Sequence, residues 1–169
     1  MKRIRRRLAM AAATCVTLAA CASLGGLIQP PTFDRVAGRD SELRLLGPST
    51  SRPLGGAGVR VWTRVGNPNA FGLTLSRLVG DLLLEGQQAA TVDLPLGLPL
   101  VAGRDTIIPI DLNVSFADVP GLANALRNAV SGNPVEYSLV GNVVVDGGPL
   151  GDASFGPSTL LTGDLRVLR

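Results

Sequence analysis

Histidine is absent from this 169-residue chain, lysine occurs only at Lys2, and the two cysteines are Cys15 and Cys21. Cys15 lies inside an apolar leader and Cys21 stands at its end, so the body downstream has no thiol for a disulfide or a metal. Together these absences remove Ser-His-Asp, Ser-Lys and Cys-His catalysis and zinc chemistry built on His or Cys. Aromatic residues make up 4% of the chain, too few to line a sugar cleft for a paired-carboxylate glycosidase. No glycine-rich loop joins a strand to a helix in the manner of a phosphate cradle. Basic charge is also scarce once the leader is set aside: from residue 21 onward eleven Arg face thirteen Asp and Glu, a net charge of −2. Without a basic stripe the body has no footprint for nucleic acid. The sequence therefore predicts no catalytic residue, no cofactor, no metal and no enzyme.

What is present begins with Lys2, Arg3, Arg5, Arg6 and Arg7, followed by an uncharged stretch from Leu8 to Ala20. That stretch is shorter than the roughly 17–25 residues a helix needs to span a bilayer, which suits a secretory signal. It ends in Leu18-Ala19-Ala20-Cys21, which resembles the bacterial lipobox. The resemblance implies cleavage before Cys21, acylation of that cysteine, and a protein anchored to a membrane through its lipid. Ala22 and Ser23 follow in place of the Asp that favours inner-membrane retention in Gram-negative lipoproteins. This implies an outer-membrane anchor facing the periplasm. Residues 1–20 are thus expected as signal peptide, 21–32 as a Gly- and Pro-containing tether, and 33–169 as one domain.

The body alternates. Val59, Val61, Thr63 and Val65 oppose Arg60, Trp62 and Arg64, and after Gly66-Asn67-Pro68-Asn69 a leucine-rich run continues through Leu73, Leu75, Leu78, Gly80, Leu82 and Leu84 with one phase slip. The reading is a hairpin whose turn is specified by Asn67, Pro68 and a left-handed Asn69. A first strand is predicted around Leu43–Leu46. Pro95 and Pro99 place residues 87–101 at a sheet edge or in an extended crossover. Residues 106–116 form the cleanest strand, with Ile108, Ile110, Leu112, Val114 and Phe116 on one face. Residues 118–130 change to helical spacing, with Asp118 placed to cap and Pro120 in the first turn. Strands follow at 135–145, 153–155 and 160–168. The motif Val36-Ala37-Gly38-Arg39-Asp40 recurs at residues 101–105, each time before a strand, as shared turn chemistry or by chance. The fold class is all-β: an antiparallel β-sandwich, fibronectin type III or immunoglobulin-like, with one helix.

An apolar strand into Asn67-Pro68-Asn69, a leucine-rich strand ending at Gly86, a long strand before a helix, Tyr137-x-x-x-Gly141, and then Gly151, Phe155 and Gly163 occur in that order. The ordered set resembles the late embryogenesis abundant type 2 family, also called the water stress and hypersensitive response domain, over residues 33–168. It implies a sandwich with one helix and an association with desiccation or other stress. A second functional reading is a lipid carrier or transport accessory, motivated by leucine on both phases of residues 79–84 and 94–100. Four side-chain groups stand out, three of them with a bland alternative beside a functional one. The Asn67-Pro68-Asn69 loop either recognises a ligand or locks a turn. Trp62 is either a platform for a protein partner or membrane surface, or is covered by its surroundings. Asp81 and Glu85 either bind a cation or are solvated charges. Tyr137 reads as a core residue whose hydroxyl bonds backbone.

Overall fold

The computed structural model describes residues 27–50, 52–117 and 123–168. The leader, Cys21, and the helix-start residues Asp118, Val119, Pro120 and Leu122 lie outside these residues, as does the Leu126 side chain. Eight strands are β1 (Thr32–Arg35), β2 (Ser41–Leu46), β3 (Gly56–Gly66), β4 (Leu73–Leu84), β5 (Gln87–Leu100), β6 (Asp105–Ser115), β7 (Val135–Asp146) and β8 (Asp152–Leu168). The helix α1 (Ala123–Ser131) stands between β6 and β7. The fold is all-β with one short helix, as the alternation predicts.

One continuous sheet makes both walls. Strand β3 carries β6 along one edge and β1 and β2 end to end along the other; β2 hands over to β8, and β8, β7, β4 and β5 form the opposite wall. Inward residues of both walls, among them Val59, Val61 and Val65 of β3 and Leu75, Leu78 and Leu82 of β4, are at most 2% exposed and share one core. Two expectations need correction here. The sheet is mixed, because β2 and β8 pair in parallel from Ser41↔Leu165 to Arg44↔Leu168. They come from opposite ends of the domain, so no short loop forces them to run antiparallel. Strands β3 and β4 also form no hairpin: β3 pairs with β1, β2 and β6, whereas β4 pairs with β5 and β7. Both carry a strongly apolar face, and each faces the core from its own wall, so residues 67–72 form a crossover.

The remaining strands follow their chemistry. β5, with Pro95 and Pro99, pairs only with β4 and sits at the edge of the sheet. The phase slip in β4 is a register shift between Leu75 and Arg77. Glu85 and Gly86, with φ of 48° and 74°, make the tight β4–β5 turn. Ala125 and Ala129 bury the inner face of α1, while Val130 is exposed. The segments expected at 153–155 and 160–168 join into the single long β8. The recurring five-residue motif builds the same turn twice: Arg39 N–H donates to Val36 O at 3.2 Å and Arg104 N–H to Val101 O at 3.1 Å, with Gly38 and Gly103 at positive φ.

Tyr137 is 1% exposed, but its hydroxyl has no hydrogen-bond partner among the described residues, contrary to the sequence reading. Its ring lies over Gly163, where a Cβ would stand 3.1 Å from the ring edge. The glycine accommodates the ring without offering the hydroxyl an acceptor. Replacing Tyr137 by Phe is therefore expected to leave stability unchanged or raise it by up to about 1 kcal/mol, since the buried hydroxyl loses nothing. A thermal unfolding midpoint more than a few degrees below wild type would show that the hydroxyl is satisfied after all.

Candidate functional site

The strongest convergence of polar side chains lies where the β3–β4 crossover, the β5–β6 turn and the segment before β1 meet. Asn67 is 2% exposed and Asn69 4%. Burying an amide costs several kcal/mol unless each donor and acceptor is used, so their partners decide what the loop is for. Asn67 Nδ2 donates to the carbonyls of Phe71 at 2.8 Å and Leu100 at 3.1 Å. Its Oδ1 accepts the Asn69 backbone N–H at 3.0 Å and Asn69 Nδ2 at 2.9 Å. Both donors and the acceptor of Asn67 are thus engaged within the domain.

Asn69 reaches the other way. Its Oδ1 accepts the Gln29 N–H at 2.8 Å and its Nδ2 donates to the Gln29 carbonyl at 3.0 Å, so the side chain pairs with Gln29 as a neighbouring strand would. Backbone bonds close the junction: Asn67 N–H to Arg104 O and Gly103 N–H to Asn69 O, each 3.1 Å. Beside it Ile28 is buried against Gly147, where a Cβ would stand 2.8 Å from Ile28 Cδ1. Among the described residues, Glu85 is the one non-glycine with positive φ, so Asn69 is not left-handed as the sequence suggested. It was chosen for its amide, which an aspartate could not supply as both donor and acceptor. Pro68 is exposed at the tip.

The other candidate residues stand apart from this junction. Trp62 is half-buried on the outer face of β3, opposite Pro109 of β6, with the Arg39 guanidinium 4.4 Å above its ring. It is partly covered, with one side still open. Asp81 and Glu85 do not converge: Asp81 accepts from Gln88 Nε2 at 2.7 Å and Thr91 Oγ1 at 3.3 Å, while Glu85 Oε1 accepts the Glu136 N–H at 2.9 Å. Among the described residues no three carboxylates or thiols gather as a metal would need. On the surface Arg60 pairs with Asp111 at 2.6 Å and Arg77 with Asp93 at 2.5 Å. The hydrogen bond from Arg77 holds the Asp93 carboxyl below its usual range. Both pairs are about half exposed, so they add little to stability.

The partners Gln29, Leu100 and Arg104 escaped sequence reasoning. The recurrence of the 101–105 motif was the available signal, but nothing in it says which loop that turn meets.

A family model described as late embryogenesis abundant protein matches residues 63–159. A solution structure of a protein from Arabidopsis thaliana superimposes with a TM-score of 0.57 at 17% identity, covering 83% of this chain and 85% of that one. At that identity the likeness is one of fold. A second solution structure, described as a late embryogenesis abundant protein, aligns at 17% identity over 75% of this chain and 71% of its own, with a TM-score of 0.47. No curated protein matches the sequence.

Proposed function

Because the chain belongs to the late embryogenesis abundant protein family, we propose that it is a non-enzymatic, stress-related protective or binding module held at a cell-envelope membrane by lipid on Cys21. The observation that supports the anchored reading is Leu18-Ala19-Ala20-Cys21 at the end of the basic and apolar leader, and the clamp on Gln29 sets how far from that anchor the domain would sit. The fold takes hold of the chain at Ile28 and Gln29, seven and eight residues after Cys21. Seven residues reach at most about 25 Å even when fully extended, so an anchor at Cys21 keeps the junction end of the domain beside the bilayer. Each buried methylene of an acyl chain contributes about 0.8 kcal/mol, and several chains together make the attachment lasting. With Ala22 and Ser23 after the cysteine, the outer membrane facing the periplasm is the proposed location.

The alternative, an apolar ligand held in or beside the sandwich, finds little room beneath α1. The apolar pocket beneath α1, lined by Leu43, Ala57, Leu84, Phe116 and Ala129 among others, holds about 10 Å³. That is the space of a single water.

Growing cells with labelled palmitate should mark the wild-type protein, and Cys21→Ala should abolish the label and release the domain from the membrane fraction. Labelling that survives the substitution would sink the anchor. The protective role is checked separately, by drying an enzyme or vesicle suspension with and without the full chain and measuring recovered activity or retained contents. Equal recovery with and without the protein would remove the protective role while leaving the anchor standing.

A further inference from the structure

Strands β1 and β2 lie end to end along one edge of β3, but not flush. β1 pairs from Thr32↔Gly66 to Arg35↔Thr63, and β2 from Glu42↔Arg60 to Leu46↔Gly56. On that edge Val61 and Trp62 have no strand partner, and the 36–40 turn bridges the notch. The result is a cleft of about 330 Å³, walled by Trp62, the turn, Ser41 at the start of β2 and Asp164 of β8. This volume is at the lower end of what small-molecule sites occupy.

The cleft is lined by two arginines and two aspartates, and one of the four is already engaged. Asp40 is paired with Arg166 at 3.0 Å, whereas Arg35, Arg39 and Asp164 make no ion pair among the described residues. Arg35 is brought in along Gly163, where a Cβ would stand 3.0 Å from its Cδ and 3.2 Å from Nη1. Arg39 is held over the indole of Trp62. Arg35, Arg39 and Asp164 thus line one half-open space with an aromatic wall.

We infer that this cleft binds a small zwitterion in which a phosphate is joined to an ammonium group, with Arg35 and Arg39 on the phosphate and Asp164 on the ammonium. Guanidinium forks match phosphate oxygens in geometry as well as charge. A phosphate monoester near its dianionic form balances two arginines, and one ammonium balances one carboxylate. A carboxylate zwitterion leaves one guanidinium uncompensated, and inorganic phosphate leaves Asp164 facing an anion. Free phosphoethanolamine is such a monoester; the headgroup of phosphatidylethanolamine joins the same two groups through a phosphodiester, whose single charge balances one of the two guanidiniums, so the free compound is the fuller match and the lipid headgroup the second source to be told apart.

Trp62 is the only tryptophan in the chain, so its fluorescence reports the cleft without labelling. The full chain is titrated with O-phosphoethanolamine, with inorganic phosphate and with glycine betaine, and binding is followed in parallel by calorimetry. Saturable binding of phosphoethanolamine is expected, at least about 10-fold tighter than either competitor, because each lacks one charge-assisted contact. Arg35→Gln should weaken it about 10-fold or more without moving the melting temperature. Asp164→Asn should erase the preference over inorganic phosphate. Vesicles of phosphatidylglycerol with and without phosphatidylethanolamine identify the source: a response confined to ethanolamine-containing vesicles assigns the site to a lipid headgroup, and a response to the free compound assigns it to a soluble ligand. No saturable response to either form, or equal affinity for phosphate and phosphoethanolamine in the wild type, overturns the inference.

Discussion

Replacing Asn67 by alanine should lower the stability of the domain by about 3–4 kcal/mol, a fall in melting temperature on the order of 10 °C. The side chain makes four hydrogen bonds, to Phe71 O, Leu100 O, and the backbone and side-chain nitrogens of Asn69. Each contributes roughly 0.5–1.5 kcal/mol net, and removing the amide strands buried carbonyls, each of which costs about 1–3 kcal/mol. Asn69→Ala should cost somewhat less, about 2–3 kcal/mol, because it releases Gln29 but leaves the β3–β4 crossover tied to the end of β5 through Asn67. The two amides share a bond, so the double variant should lose less than the sum of the single ones. Pro68→Ala, at the exposed tip, serves as the control and should cost only about 0.5–1 kcal/mol through the unfolded chain. Thermal and urea unfolding of the full chain read all four. If Asn67→Ala melts with the wild type while a drying assay shows lost protection, the loop is a recognition element and the architectural account of it is wrong.

A methyl group at Gly80 is expected to be at least as damaging, about 3 kcal/mol or more, with a fraction of the protein failing to fold. Gly80 of β4 lies directly opposite Gly141 of β7. A Cβ on Gly80 would run into the Val140 carbonyl oxygen and stand 2.6 Å from Gly141 Cα; one on Gly141 would run into the Val79 carbonyl and stand 2.7 Å from Gly80 Cα. These are backbone atoms in the middle of a ladder, so they yield only if the two strands part. Soluble yield and the urea midpoint of Gly80→Ala test this, with Gly86→Ala as a contrast at a position where a Cβ meets nothing within 4 Å but φ is 74°. An unfolding midpoint for Gly80→Ala equal to wild type would show that β4 and β7 have slack.

Much of the architecture was legible because alternation is a local property: Val59, Val61 and Val65, or Ile110, Leu112 and Val114, declare which way they face whatever lies beside them. Pairing is not local. Nothing between Val59 and Leu84 distinguishes two strands side by side from two strands facing each other across a core, and the second arrangement is the one adopted. Strand β1 passed unnoticed because Phe33 is the one apolar residue in its four. Tyr137 was correctly placed in the core, but whether its hydroxyl found an acceptor depended on residues of other strands, and none of the described residues supplies one. The Asn67-Pro68-Asn69 loop announced a locked turn, and Asn67 does bond Asn69 and Phe71 locally, yet the bonds that tie the loop to the rest of the domain go to Gln29, Leu100 and Arg104, each more than thirty residues away in sequence. Trp62 sat on the outward phase as expected, while the cleft beside it arises from the stagger of β1 and β2, which no residue pattern encodes.

The parallel pairing of β2 with β8 bears on when the molecule can acquire its shape. β8 lies inside the sheet, between β2 and β7, so the first wall cannot be joined to the second until the final strand has arrived. Loop closure over so long a span is entropically slow, and structures dominated by contacts between distant parts of the chain fold late. The earlier strands can pair within their own walls, β3 with β1, β2 and β6 and β4 with β5, but the sheet closes only when residues 165–168 are free to lie along β2.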